Sequence, residues 1–268
     1  RARMEGKTIG IVPTMGALHA GHLSLLRCAK QHADTVITTL FVNPTQFAPH
    51  EDFQKYPRNR ERDIELIQRE NGDIVFVPEI NEMYGEHFLT YVVPEKTGEL
   101  LEGKFRPAHF RGVATVVAKL INITKPHIAV FGQKDAQQVF ILQQMVRDLN
   151  FDVQIIVAPT VRESDGLAMS SRNAYLNEQQ RQDAVVLYLA LSNAERIIKG
   201  GEKNTARIIA TMRQQILAKP SVASIDYISI ANALTLEDIA EISSEKILIS
   251  LAVRFGTTRL IDNIIIQS

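Results

Sequence analysis

The sequence predicts an α/β fold in which a doubly wound parallel sheet is followed by a smaller α+β C-terminal domain. Three observations carry that reading. Short, sharply bounded β-branched runs recur through the first part of the chain, as strands buried on both faces require. Stretches with apolar residues at helical spacing separate them. Beyond Pro159 the texture changes to two successive amphipathic helices and then three strand-like runs.

Taken in order, the runs at residues 8–12, 36–42, 73–77, 128–131 and 153–157 read as strands, and helical patterns cover 23–31, 60–69, 113–124 and 136–149. In the last of these, Val139, Leu142, Val146 and Leu149 recur at helical spacing. The C-terminal part is expected to form helices over 178–199 and 204–217, then strands over 225–231, 247–252 and 258–266, the last two as a pair. Gly200-Gly201 reads as a helix stop. The expected domains are therefore 1–160 and 161–268, without internal repeats or low-complexity tracts.

Composition narrows the function classes. Hydrophobic residues make up 45% and charged residues 22%, enough to bury a core. Lys plus Arg and Asp plus Glu both number 30, so no global field invites nucleic acid or an anionic membrane, and an anion site must be local. The single cysteine, Cys28, rules out an intrachain disulfide framework and a four-thiolate zinc site, and the cytoplasm is the expected compartment. Neither an apolar run of about 18 residues nor a signal-peptide pattern is present. The start, Arg1-Ala2-Arg3-Met4-Glu5-Gly6-Lys7, reads like the tail of a basic helix and suggests an N-terminal truncation.

The first strand runs into Pro13-Thr14-Met15-Gly16-Ala17-Leu18-His19-Ala20-Gly21-His22 and then a helix. A His-x-Gly-His string should arise by chance in about one chain per hundred of this composition, so it is informative without being decisive. At the carboxyl end of a strand, backbone N–H groups of the following helix can receive phosphate oxygens, and imidazoles can donate to oxygens gaining charge. The alternatives are that His19 and His22 cap the helix, or that they bind a metal; two His without a nearby third ligand make the metal reading weaker. Nucleotide binding ranks above both.

Three further strings lie at expected strand ends. Asn43-Pro44-Thr45-Gln46 places two amides after the second strand, although on this segment alone an ordinary Asn-Pro turn is the favoured reading. Gly132-Gln133-Lys134-Asp135 opens the helix after the fourth; Asp135 and Gln138 fit a capping box, which leaves Lys134 as a cation for phosphate. Met169-Ser170-Ser171-Arg172-Asn173 combines hydroxyls with a guanidinium, a mobile phosphate clamp when read beside the His pair and a solvated loop when read alone. A fourth cluster, Arg106-Pro107-Ala108-His109-Phe110-Arg111-Gly112, divides evenly between an anion site and an exposed loop. P-loop, dinucleotide-fingerprint and hydrolase-elbow patterns are all missing, and Cys28 reads as a small buried hydrophobe, not a nucleophile.

Together with Phe41-Val42-Asn43-Pro44-Thr45-Gln46-Phe47 and Thr258-Arg259-Leu260-Ile261-Asp262-Asn263, these strings resemble the pantothenate synthetase family of the nucleotidyltransferase superfamily, which is distantly similar to class I aminoacyl-tRNA synthetases. The resemblance covers nearly the whole chain. It implies a Rossmann-like N-terminal domain, a C-terminal lid, an active site in the cleft between them and a homodimer. It also implies an ATP- and Mg²⁺-dependent condensation of pantoate with β-alanine through a pantoyl adenylate. By the same match, Met15, Gly16, Ala17, Leu18, His19, Ala20, Gly21 and His22 bind ATP, as do Gly132, Gln133, Lys134, Asp135, Val161, Met169, Ser170, Ser171 and Arg172. Gln46 and Gln138 bind pantoate, Gln46 lies also near β-alanine, and Asn43 assists. His22, His19, Lys134 and Arg172 carry the catalytic expectation, with no metal held by protein ligands. One departure stands out: the family pattern has Glu where this chain has Gln133, which bears on Mg²⁺ dependence. The competing readings are a nucleotidyltransferase with another acceptor, or a nucleotide-binding regulator without catalysis.

Overall fold

The computed structural model describes residues 2–49, 51–243 and 246–267. The chain divides into two compact units, Arg1–Gln133 with Gln137–Thr160, and Lys134–Ala136 with Val161–Ser268.

In the first unit five parallel strands, β1 (Ile9–Thr14), β2 (Thr35–Leu40), β3 (Ile74–Phe76), β4 (Ile128–Gly132) and β5 (Gln154–Ala158), stand in the order β3-β2-β1-β4-β5. The chain winds outward from β1 to β3 and then returns to β4 on the other side, so the switch point lies between β1 and β4. Ligands of open α/β sheets bind at the carboxyl ends of strands flanking such a point. The helices are α1 (Ala20–His32), α2 (Arg60–Arg69), α3 (Ile80–Met83), α4 (Glu102–Phe105), α5 (His109–Thr124) and α6 (Ala136–Asp148). Successive strand residues point to opposite faces, which splits the core in two. Val12, Val36 and Val130 pack with Leu26 of α1 and Ile67 of α2; Ile11, Ile37 and Ala129 pack with Val117 of α5 and Leu142 of α6. Ile11 and Val12 are both fully buried, the reason that β1 reads as an unbroken apolar run.

In the second unit, α7 (Glu178–Ala184), α8 (Val186–Lys199) and α9 (Thr205–Leu217) precede an antiparallel sheet, β6 (Val222–Asn232), β7 (Lys246–Phe255) and β8 (Thr258–Gln267), in that order. Alternate residues of β7, namely Ile247, Ile249, Leu251, Val253 and Phe255, pack on Leu187 and Leu191 of α8 and Ile208 and Met212 of α9. The single helix expected over 178–199 is interrupted at Val185, two residues after Asp183, whose buried carboxylate accepts from the Ser221 N–H and hydroxyl. Among the described residues no helix is long and apolar enough to cross a membrane.

Candidate functional site

The segment after β1 makes an unusual turn. Thr14 anchors it, its hydroxyl donating to the Thr39 carbonyl at 2.6 Å. Gly16 and Ala17 then adopt positive φ in succession, 84° and 51°. The carboxylate of Asp63, on α2 and only 2% exposed, accepts from the N–H groups of Ala17 and Leu18, both at 2.8 Å. Leu18 turns its side chain into the core at 1% exposure. The N–H groups of Ala17 and Leu18 are thus taken by Asp63, ahead of the α1 amides to which the phosphate expectation applies.

The histidines are organised by the helix they precede. His19, extended at φ −137° and ψ 175°, is the N-cap of α1: its Nδ1 accepts from the Gly21 N–H at 3.2 Å. The His19 N–H in turn donates to Nδ1 of His22 at 3.4 Å, and the ring centroids lie 4.1 Å apart. The capping reading and the ligand reading are therefore compatible. A ring nitrogen that accepts carries no proton, so each neutral imidazole holds its proton on Nε2. The backbone N–H groups polarise Nδ1, and each neutral ring is a donor at Nε2. Ala20 is exposed, while Met15, Gly21 and both histidines are half-buried.

At the end of β2, Asn43 caps a 3-10 turn, Pro44–Gln46. Its Oδ1 accepts from Tyr84 Oη at 2.7 Å and from Thr45 Oγ1 at 3.0 Å, and its Nδ2 donates to the Gly112 carbonyl at 3.2 Å and to Gln46 Oε1 at 3.1 Å. That last bond fixes the flip of the Gln46 amide, whose Nε2 points at Met15 Sδ, 3.0 Å away. A thioether is a weak acceptor, so a substrate oxygen would replace it with gain. Gln46 thus presents a donor.

The cluster at residues 106–112 lies beneath this turn. His109 Nδ1 donates to the Gln46 carbonyl at 2.8 Å, and its Nε2 receives Arg106 at 3.1 Å, which assigns the tautomer because arginine only donates. Burial and the neighbouring Arg106 push the His109 pKa down to about 4. Arg106 also forks onto Glu51 at 2.8 and 2.7 Å; burial opposes ionisation of Glu51, but the guanidinium prevails and holds its pKa below the ordinary value. Gly112 completes the support, since a Cβ there would lie 2.3 Å from the Thr45 carbonyl oxygen. Of the two readings open in sequence, neither the anion site nor the exposed loop holds for Arg106, His109 and Gly112; they brace Gln46.

Beyond β4, residues 133–135 form a 3-10 turn that runs straight into α6, so Asp135 sits within helical winding and not at an N-cap. Gly132 and Gln133 are half-buried, Lys134 lies 3.8 Å from the exposed Asp135, and the Lys134 carbonyl accepts from Asn263 Nδ2 at 2.7 Å. Gln138 is half-buried on α6. Its neighbour Gln137 is the structural amide: it donates to the Thr97 and Leu100 carbonyls and accepts from the Glu102 N–H.

In the second unit, Met169 N–H donates to the Val161 carbonyl at 3.0 Å, closing a hairpin whose base is held by Arg162 forked onto Asp262 at 2.6 and 3.0 Å. Ser170 Oγ accepts from the Arg172 N–H and caps the 3-10 turn Ser171–Tyr175. Burial raises the Cys28 thiol above its ordinary pKa, against a nucleophilic role. Asp63, Tyr84 and Gln137 escaped the sequence reading. Asp63 sits in a charge-rich Arg-Glu-Arg-Asp string that reads as a solvated helix face, and nothing local marks its partners, which lie more than forty residues away.

The reversed strand order and the polar residues gathered beyond β1 and β2 define a Rossmann-like, doubly wound α/β protein. The model of the pantoate-beta-alanine ligase family matches residues 1–265. The chain is 53% identical over 263 residues to the pantothenate synthetase of Thermoanaerobacter pseudethanolicus, covering 98% of this chain and 92% of that one. It is 53% identical over 268 residues to that of Carboxydothermus hydrogenoformans, covering 99% and 93%. Among solved structures, pantoate-beta-alanine ligase (pantothenate synthetase) from Thermus thermophilus superposes with a TM-score of 0.92 at 43% identity, over 96% of this chain and 92% of that chain. The Francisella tularensis pantoate-beta-alanine ligase, complexed with beta-gamma ATP and beta-alanine, gives 0.78 at 35%, over 97% and 90%. The chain belongs to the pantoate-beta-alanine ligase family.

Proposed function

We propose that this chain condenses (R)-pantoate with β-alanine to pantothenate in two steps. A pantoate carboxylate oxygen attacks the α-phosphorus of ATP and pyrophosphate leaves; the β-alanine amine then attacks the acyl carbon of the pantoyl adenylate and AMP leaves. The observation that carries the reading is the donor polarity fixed at Gln46, together with two neutral imidazoles that accept at Nδ1 and so donate at Nε2: amide N–H for a carboxylate or hydroxyl oxygen, ring N–H for phosphate oxygens. The Francisella relative, complexed with beta-gamma ATP and beta-alanine, supports the same substrates.

This chemistry requires no side-chain nucleophile, since the substrate carboxylate does the attacking. The protein's part is positioning and charge stabilisation. Met15–His22 are read as nucleotide contacts, with Gly132–Asp135, Val161 and Met169–Arg172; Lys134 and Arg172 supply cationic donors, and Gln46, Gln138 and Asn43 handle pantoate. Mg²⁺ enters as part of MgATP, since Mg²⁺ commonly binds through substrate phosphates and water. A homodimer and a cytoplasmic location complete the reading.

The test is pyrophosphate release from MgATP and pantoate, with and without β-alanine. Pyrophosphate with pantoate, followed by AMP and pantothenate only when β-alanine is added, is the expected result. An inert pantoate with another acid reactive would leave the fold and overturn the substrate.

A further inference from the structure

We propose that Asp63 is a positioning residue for the nucleotide half of the reaction, holding the Gly16-Ala17 turn that delivers His19 and His22 to the start of α1. The inference rests on the function proposed above. Four observations converge on it. Asp63 is 2% exposed on a helix whose three preceding positions, Arg60, Glu61 and Arg62, are exposed. Each oxygen takes one backbone N–H, Oδ2 from Ala17 and Oδ1 from Leu18, both at 2.8 Å. Ala17 holds φ 51°, a left-handed conformation that disfavours a residue with a Cβ and persists only where surroundings enforce it. At Gly16, φ 84°, a Cβ would stand 2.9 Å from Asp63 Oδ2, so a side chain there would displace the carboxylate.

The geometry demands both oxygens. Two successive N–H groups converge on one side chain, and only a carboxylate offers two acceptors on a single planar group. An Asn of the same size would meet one amide with its oxygen and turn its NH₂ toward the other, leaving a buried donor opposed by a donor. The turn would then lose its brace one residue before the His19 cap, and the Nε2 protons of both rings would lose their direction. The Asn43–Gln46 turn depends instead on Tyr84, Thr45, His109 and Gly112 and has no bond to Asp63. The link between the two turns, Gln46 Nε2 on Met15 Sδ at 3.0 Å, is to a weak acceptor, so disturbance should fall first on the nucleotide side.

The test is Asp63→Asn with separate titration of each substrate. The expected result is a fall of about tenfold or more in kcat/KM for ATP, with KM for pantoate and for β-alanine changed by no more than about twofold. A uniform loss across all three substrates, or no loss for ATP, overturns the proposal. A second measurement does not need the variant to fold: in the wild-type chain, isotope-labelled at Ala and Leu, the Ala17 and Leu18 amide protons should exchange as slowly as those of β1. Exchange as fast as that of exposed-loop amides overturns the proposal even if the enzyme is active. Should the wild-type chain release no pyrophosphate from ATP with pantoate, the functional reading fails by that result, and displacement of a fluorescent ATP analogue from Asp63→Asn at about tenfold lower affinity still decides the role of Asp63.

Discussion

His22 has two jobs that mutation can separate. Its Nδ1 accepts the His19 N–H at the start of α1, and its Nε2 proton is the donor read as serving the nucleotide. Removing a cap acceptor costs about 1 kcal/mol of stability, whereas removing a donor to developing charge costs about 3 kcal/mol in the transition state, or roughly a hundredfold in kcat. His22→Ala should therefore show a small fall in Tm and a large fall in kcat; undiminished turnover would remove His22 from the chemistry. Gln46 allows a sharper experiment because its amide is oriented. In Gln46→Glu the side chain can still accept from Asn43, but the N–H aimed toward Met15 becomes a second acceptor. A substrate carboxylate oxygen, which can only accept, would then meet an acceptor, and kcat/KM for pantoate should fall on the order of a hundredfold. A variant with unchanged kcat/KM for pantoate would show that Gln46 does not donate to the substrate.

At the scale of elements, the site depends on how closely α5 approaches the turn after β2. Gly112 lets the Thr45 carbonyl come where a Cβ would lie 2.3 Å away, and backbone cannot swing aside as a long side chain can. Gly112→Ala should destabilise the chain by about 1–3 kcal/mol through overpacking, and raise KM for pantoate more than KM for ATP, since the displaced turn carries Gln46. Thermal unfolding and two substrate titrations check it. This support also shows where the sequence stops being legible. The parallel strands could be read because burial on both faces forces continuous β-branched runs, and the His-x-Gly-His string because its residues are adjacent. The Arg106–Gly112 cluster could not be decided, because its meaning lies in contacts with Gln46 and Thr45 some sixty residues away. Helices α3 and α4, four residues each, are too short to show any period. Asp63 was hidden for a related reason: a carboxylate in the first turns of a charged helix looks solvated until the fold brings Ala17 and Leu18 to it.

For the whole molecule, equal numbers of acidic and basic residues leave no net charge near neutrality, so acid sensitivity must come from particular buried groups. His109 is the leading one. Desolvation first, and Arg106 second, lower its pKa from 6.5 to about 4 in the folded chain. Unfolding returns it to the ordinary value, so between those limits the unfolded chain binds the proton that the folded chain refuses. The sign follows: the contribution is present above about 6.5, and stability falls as pH drops toward about 4, by roughly 2 kcal/mol between pH 7 and pH 5 at 1.36 kcal/mol per unit. The depressed carboxylates Glu51 and Asp183 also lose stability in acid, but only as pH falls below their ordinary values of 4.5 and 3.8, outside the window above pH ~5 in which His109 acts. Urea unfolding at pH ~7 and pH ~5 should show that loss in the wild-type chain. His109→Gln, which cannot titrate but retains an amide to donate to the Gln46 carbonyl, should start less stable and lose little over the same interval. Equal slopes for the two proteins would mean that the proton is taken up elsewhere, and that the neutral imidazole beneath Gln46 is not what makes the fold sensitive to mild acid.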